Sequence, residues 1–201
     1  PPAQTSFAHQ SLLGNADDAI AKVAVADFSV ISILTALQNE ANKSAVVDGS
    51  LREVSLVDGN GQPVTFSQYL AALLPELAAG DLGAVLQSAF EDDFTAYLYF
   101  DENGVWPGYL AALKPSADLD VVTLQSRLRD LESSSFGNMF LTPPGNAVAF
   151  RSGQVGDLYT DRFAPMAQPG ASFNYGLFGN YLIINTSYGG LLEALTLLQL
   201  L

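Results

Sequence analysis

From Asp93 to Phe100 the side chains alternate: Phe94, Ala96, Leu98 and Phe100 fall on one face of an extended chain, and Thr95, Tyr97 and Tyr99 on the other. Asp101-Glu102-Asn103-Gly104 follows with turn chemistry, and Trp106–Leu113 supplies a second run rich in strand formers. The pattern predicts an antiparallel hairpin across the middle of the chain. A domain boundary near Gly104 would have to cut it, so the hairpin argues for one sheet shared by both halves.

The flanking segments predict a mixture of helices and strands around that sheet. Ala19–Val25 is a short strand, after which Asp27 or Ser29 can cap a helix carrying Val30, Ile33, Leu34 and Leu37. Arg52–Val57 is a strand closed by Asp58-Gly59-Asn60-Gly61. Thr65 and Gln68 have capping-box spacing at the head of a stripe formed by Phe66, Tyr69, Leu70, Leu73 and Leu74, which Pro75 should end. Asp81 is placed to cap a short helix, and Asp118 or Asp120 another that contains Val121, Leu124, Leu128 and Leu131.

Ser133 to Gly145 predicts a loop. Ala147–Arg151, Asp157–Phe163, Ser172–Phe178 and Tyr181–Asn185 predict strands, the last two joined by Gly179-Asn180. A final helix from Leu191 to about Leu200 is apolar almost all round, so it must be buried in the core, cover a partner or continue into further sequence. The expected class is therefore α+β, a mostly antiparallel sheet with helices packed on one face. Both halves share a rhythm of strand, helix, strands, helix, which leaves open a pair of ferredoxin-like split units meeting near residue 104.

Residues 1–15 are expected to be linker-like and 16–201 to form the domain. Pro1-Pro2-Ala3-Gln4 has the character of a linker's end and suggests an upstream signal peptide or membrane anchor. The chain itself has 49% hydrophobic residues and a mean hydropathy of +0.22. Its longest apolar stretches, Tyr69–Pro75 and Gly189–Leu201, fall short of the roughly 20 residues of a membrane span. Eight basic against 21 acidic residues give a net charge of −13, which repels nucleic acids and anionic lipids. With no cysteine, disulfides, thiolate metal sites and cysteine nucleophiles are excluded.

The residue constellations that carry chemistry fall short one by one. His9 is the only histidine and lies in the polar run Gln4–Asn15, where a terminal segment is expected to leave it exposed or loosely docked. Glu91-Asp92-Asp93 is the densest carboxylate group, but neighbours at a helix-to-strand corner point in different directions and predict a solvated turn. Asp58-Gly59-Asn60-Gly61 and Asp101-Glu102-Asn103-Gly104 are oxygen-rich, yet neither has the alternating ligands and closing Glu of a calcium loop. No phosphate-binding glycine motif or nucleophile elbow is present. No catalytic residue, cofactor or metal is assigned. Among the aromatic residues, Tyr97, Tyr99 and Tyr109 of the central hairpin are the candidate binding surface for a peptide, glycan or protein, with ordinary cross-strand packing as the alternative.

One stretch resembles a known group. The sequence Phe173-Asn174-Tyr175-Gly176-Leu177-Phe178-Gly179-Asn180-Tyr181-Leu182-Ile183-Ile184-Asn185-Thr186-Ser187 is similar to the end of the repeat in uncharacterised, membrane-anchored bacterial proteins with extracytoplasmic α+β domains. Asp93–Phe100, Tyr109–Lys114 and the helix after them extend the likeness to about half the chain. The resemblance implies an exported, anchored domain and transfers no catalytic residue. The expected function is a non-enzymatic extracytoplasmic interaction or structural domain of a cell-envelope protein. A carboxylate-dependent hydrolase is one alternative, and a homo-oligomer joined through Leu191, Leu192 and Leu195 is the other.

Overall fold

The computed structural model describes residues 7–43, 47–78, 80–115, 120–156 and 159–201. Among these residues eight strands form one sheet in the order β1-β2-β3-β4-β8-β7-β6-β5. They are β1 (Ala21–Ala24), β2 (Leu51–Val57), β3 (Phe90–Asp101), β4 (Gly104–Leu113), β5 (Arg151–Val155), β6 (Tyr159–Pro165), β7 (Ser172–Phe178) and β8 (Tyr181–Asn185). Only β1 and β2 run parallel; every other neighbouring pair is antiparallel. The helices are α1 (Val30–Ala41), α2 (Phe66–Leu73), α3 (Pro75–Ala78), α4 (Asp81–Ala89), α5 (Val121–Leu128) and α6 (Tyr188–Leu197).

The class is α+β with a mostly antiparallel sheet. The halves are built differently within it: the first holds the parallel β1-α1-β2 unit, whereas the second is a four-strand meander followed by α6. No cut falls at Gly104. That residue starts β4 within the hairpin, and β4 pairs onward with β8 from Gly108↔Asn185 to Ala112↔Tyr181.

Local signals set most helix starts. Ser29 accepts from the Ser32 N–H at the head of α1, and Asp120 accepts from Val122 and Thr123 at the head of α5. Asp118, the other predicted cap, lies outside the described residues. Thr65 and Gln68 form the full capping box of α2. Asp81 is not a cap: Gly80 takes that position, and Asp81 sits in the first turn of α4, where an acidic side chain favours the helix dipole.

The alternation in β3 sorts the interior into two cores. Phe94, Ala96, Leu98 and Phe100 join Tyr109, Ala111, Leu182 and Ile184 beneath α1, α2, α4 and α5. Tyr97 shares the opposite core with Leu110, Phe178, Ile183, Leu191, Ala194 and Leu195. Helices thus cover one face, and α6 alone packs on the other. Leu191 and Leu195 are fully buried on its inner side and Leu192 partly so, while Tyr188 and Leu197 stay exposed. Burying a leucine in this way contributes about 1.5–3 kcal/mol.

Two segments depart from the expected pattern. Between Ser133 and Gly145 the chain makes a 3-10 turn at Phe136–Met139, burying Met139 and Phe140 under the sheet. The strand expected at Ala147–Arg151 is displaced: Ala147 makes only an isolated bridge to Met166, and β5 begins at Arg151 and passes through Ser152-Gly153-Gln154. Polar and glycine residues hide that strand because it forms the sheet edge and buries only Val155.

Gly108 shows how tightly the α6 face is packed. A Cβ at this position would run into the Tyr97 ring, which lies across the backbone of β4. Gly108→Ala should therefore lower unfolding stability by about 1–3 kcal/mol in urea denaturation. An unchanged midpoint would mean that the Tyr97 ring has room to move aside.

Candidate functional site

Tyr97, Tyr99 and Tyr109 do not form one exposed surface. Alternation sends Tyr97 and Tyr109 to opposite cores, and both are buried. The Tyr97 hydroxyl accepts from Asn185 Nδ2 and donates to the Gly190 carbonyl, while Tyr109 packs on Tyr69 with ring centroids 4.9 Å apart. Tyr99 alone keeps partial exposure, and its ring abuts Gly189 at the start of α6. The sequence places these residues in strands correctly, Tyr97 and Tyr99 in β3 and Tyr109 in β4. Both strands are sandwiched, however, and neither offers a solvent platform.

Residues 9–15 are also tied down, although the composition of this part of the chain suggests a linker. His9 Nδ1 is 2.7 Å from Asp93 Oδ1 and its Nε2 is 3.1 Å from Glu53 Oε1. Ser11 and Asn15 donate to Glu53 Oε2 at 2.6 and 2.7 Å, and the Gln10 and Leu12 N–H groups bond Asp93 and Thr95. The His9 side chain is 9% exposed and that of Glu53 is fully buried. Asp93 thus leaves the expected solvated turn to hold this strap, while Glu91 and Asp92 remain exposed. Burial by itself would lower the pKa of His9. Hydrogen bonds to Asp93 and Glu53, with the charges of both, outweigh it and raise the value to about 9.

Both imidazole nitrogens are committed, so His9 acts as a cationic clamp and has no free position for a substrate or metal. The clamp has a definite pH signature. With a folded pKa raised from 6.5 to about 9, its stabilisation is complete below pH 6.5 and is lost as pH rises through about 9. Urea midpoints measured across that window should fall for the native chain and stay nearly flat for His9→Gln. Parallel falls would show that His9 carries no such linkage.

The two oxygen-rich segments, Asp58–Gly61 and Asp101–Gly104, are turns. Asp58 Oδ1 accepts from the Asn60 and Gln62 N–H groups, and Asp101 Oδ1 from those of Asn103 and Gly104. Their carboxylates serve their own loops. Among the described residues no three His, Cys, Asp or Glu side chains are grouped to hold a metal.

Neighbouring residues Asp161 and Arg162 on β6 point to opposite faces and differ sharply in how they are satisfied. Arg162 makes a two-point bond to Glu132, at 2.7 Å through Nε and 2.8 Å through Nη2, and Tyr175 donates to the same carboxylate at 2.6 Å. The Arg162 hydrogen bond holds Glu132 below the usual carboxylate range. This cluster fastens the turn at Arg129–Ser133 to β6 and is complete in itself.

Asp161 lies on the α6 face, in the part of the sheet that the helix leaves open. There a groove of about 380 Å³ is lined by Gly153, Gln154, Asp161, Phe163, Pro165, Ser172, Asn174 and Tyr188. Its floor comes from adjacent strands, as Gly153↔Asp161, Phe163↔Asn174 and Pro165↔Ser172 are register pairs. Tyr188, 47% exposed at the first turn of α6, forms one wall. Two buried acceptors have no partner there: Oδ2 of Asp161, a residue 3% exposed, and Oδ1 of Asn174, which is fully buried.

The orientation of Asn174 follows from its contacts. Its Nδ2 donates to the Ser172 carbonyl at 3.0 Å and to Ser172 Oγ at 2.8 Å, leaving Oδ1 as an acceptor. Burial raises the Asp161 pKa above its ordinary 3.8. A buried polar atom left unpaired costs about 1–3 kcal/mol, and more for a charge, so the groove is chemically unfinished without a donor. Among known proteins, no family model, curated sequence or solved structure matches this chain.

The sequence holds a faint signal for this site. Asp161 interrupts the groove-facing side of β6, which otherwise presents Phe163 and Pro165, and it pairs with a glycine on the edge strand. With β5 displaced in the sequence reading, that pairing cannot be seen, and Asp161 looks like one more surface acid.

Proposed function

We propose that the chain is a non-enzymatic interaction domain that holds its ligand in the groove between β5, β6, β7 and the start of α6. The observation that carries this reading is the pair of buried, unpartnered acceptors, Asp161 Oδ2 and Asn174 Oδ1, in an otherwise mostly apolar lining. Such a site calls for a ligand with N–H donors and an apolar body. The net charge of −13 favours cationic ligands further. A hydrolase working by carboxylates alone needs two facing acids, whereas the groove lining supplies one acid and one amide. Self-association through Leu191 and Leu195 has less to support it, as both are already covered by the sheet.

The setting that goes with this reading is extracytoplasmic, on an envelope protein anchored outside this segment. It rests on the resemblance of residues 173–187. No helix among the described residues is long and apolar enough to cross a membrane.

The test is a set of simple probes followed by NMR on the whole chain. n-Butylammonium and N-methylacetamide should shift the backbone resonances of β5 to β7 and the Asn174 side-chain amide, whereas acetate should not. Asn174→Leu should abolish the response. Equal responses to all three probes, or none in β5 to β7, would overturn the groove as a binding site.

A further inference from the structure

The groove opens beside an edge. β5 is the last strand of the sheet among the described residues, so within them its outward backbone groups face no further strand, and Arg151, Ser152 and Gln154 are exposed along it. An exposed edge of this kind accepts an added strand through main-chain hydrogen bonds, with specificity coming from pockets for alternate side chains. In antiparallel register, Gly153 pairs with Asp161 and presents no side chain on the groove face. Asp161 leans into that vacancy: a Cβ at Gly153 would come within 2.9 Å of Asp161 Oδ1 and of the Phe163 ring.

An incoming strand lies about 4.8 Å beyond β5, and its residue opposite Gly153 projects on the same face as Asp161. No β5 side chain stands between them. A long side chain at that position passes over Gly153 and arrives where Asp161 Oδ2 and Asn174 Oδ1 lack partners. A lysine suits this path, as its apolar stem crosses a strand position that has no side chain of its own, over the Asp161 carboxylate and Phe163 ring that lie against Gly153, and its compact ammonium offers three donors. The Arg151 guanidinium already occupies one face of the Phe163 ring, 5.7 Å from its centroid, and forms no ion pair with Asp161 among the described contacts.

Building on the groove reading above, we infer that a partner protein contributes an extended, lysine-bearing segment that pairs with the outer edge of β5 and passes its lysine across Gly153 to Asp161 and Asn174. Main-chain pairing supplies the docking, and the ammonium completes both acceptors at once. The acidic chain favours approach of the basic segment.

The test uses an array of blocked pentapeptides with Val, Thr, Ile or Tyr at four positions and either Lys or norleucine at the centre. Lysine peptides should bind at least about tenfold more tightly than their norleucine counterparts, because loss of one member of a buried charge pair costs several kcal/mol. Asp161→Asn should erase most of that preference. Bound lysine peptides should also slow hydrogen exchange at the Arg151–Val155 amides. Equal retention of the two peptide series overturns the inference, as does lysine-dependent binding without protection of β5. If n-butylammonium still shifts the Asn174 amide when no peptide protects β5, the ligand is a free amine and the edge pairing is wrong, although the groove reading survives.

Discussion

The antiparallel pairing of β4 with β8 carries the fold across the middle of the sequence. From Gly108↔Asn185 to Ala112↔Tyr181, these strands join the β1-α1-β2 unit and central hairpin to the C-terminal meander. The pairing also lets one sheet serve two cores. Gly108 leaves space for the Tyr97 ring, Asn185 donates to the Tyr97 hydroxyl, and Thr186 donates to the Pro107 carbonyl at 2.7 Å. A polar knot is thereby satisfied within the apolar interior, the condition under which buried polar groups are tolerated.

Covering both faces of so wide a sheet is what creates the site. Eight strands span about 34 Å at the usual spacing, whereas a helix of ten residues is about 15 Å long and 10 Å across. On the first face the other helices and the 3-10 turns share the work. On the second, the N-terminal strap lies over β2 and β3, α6 packs chiefly on the middle strands, and the end formed by β5, β6 and β7 is left as a groove. The exposed Tyr188 marks where the helix begins and its cover stops. Clamp and groove occupy the two ends of one face, and their acids have contrasting situations: Glu53 is saturated by His9, Ser11 and Asn15, whereas Asp161 Oδ2 has no partner.

Elements whose neighbours in sequence are also their neighbours in space were legible beforehand. The alternation of β3, the Gly179-Asn180 turn and the Thr65–Gln68 capping box are local codes, and the structure follows them. Contacts over long separations were not legible. Nothing near His9 announces Glu53 and Asp93, which lie 44 and 84 residues away, and a polar segment awaiting such partners looks like a linker. Tyr97 and Tyr109 could be assigned to strands, but whether a strand face meets water depends on helices distant in sequence: α6, about ninety residues after Tyr97, and α2, whose Tyr69 lies forty residues before Tyr109. The groove was hidden for the same reason. Its acceptors, its glycine gap and its aromatic wall come from four elements, one of them an edge strand whose polar composition resembles a turn.

The central claim is that Asp161 keeps one carboxylate oxygen, Oδ2, without a partner until a donor enters the groove. The most direct measurement is the titration of its side-chain carboxyl carbon by NMR, in the free chain and with saturating n-butylammonium. The account predicts a pKa above the ordinary 3.8 in the free chain, because burial disfavours the carboxylate, and a fall when the ammonium binds. An Asp161 that titrates at or below 3.8 in the free chain, and does not respond to the amine, would contradict it.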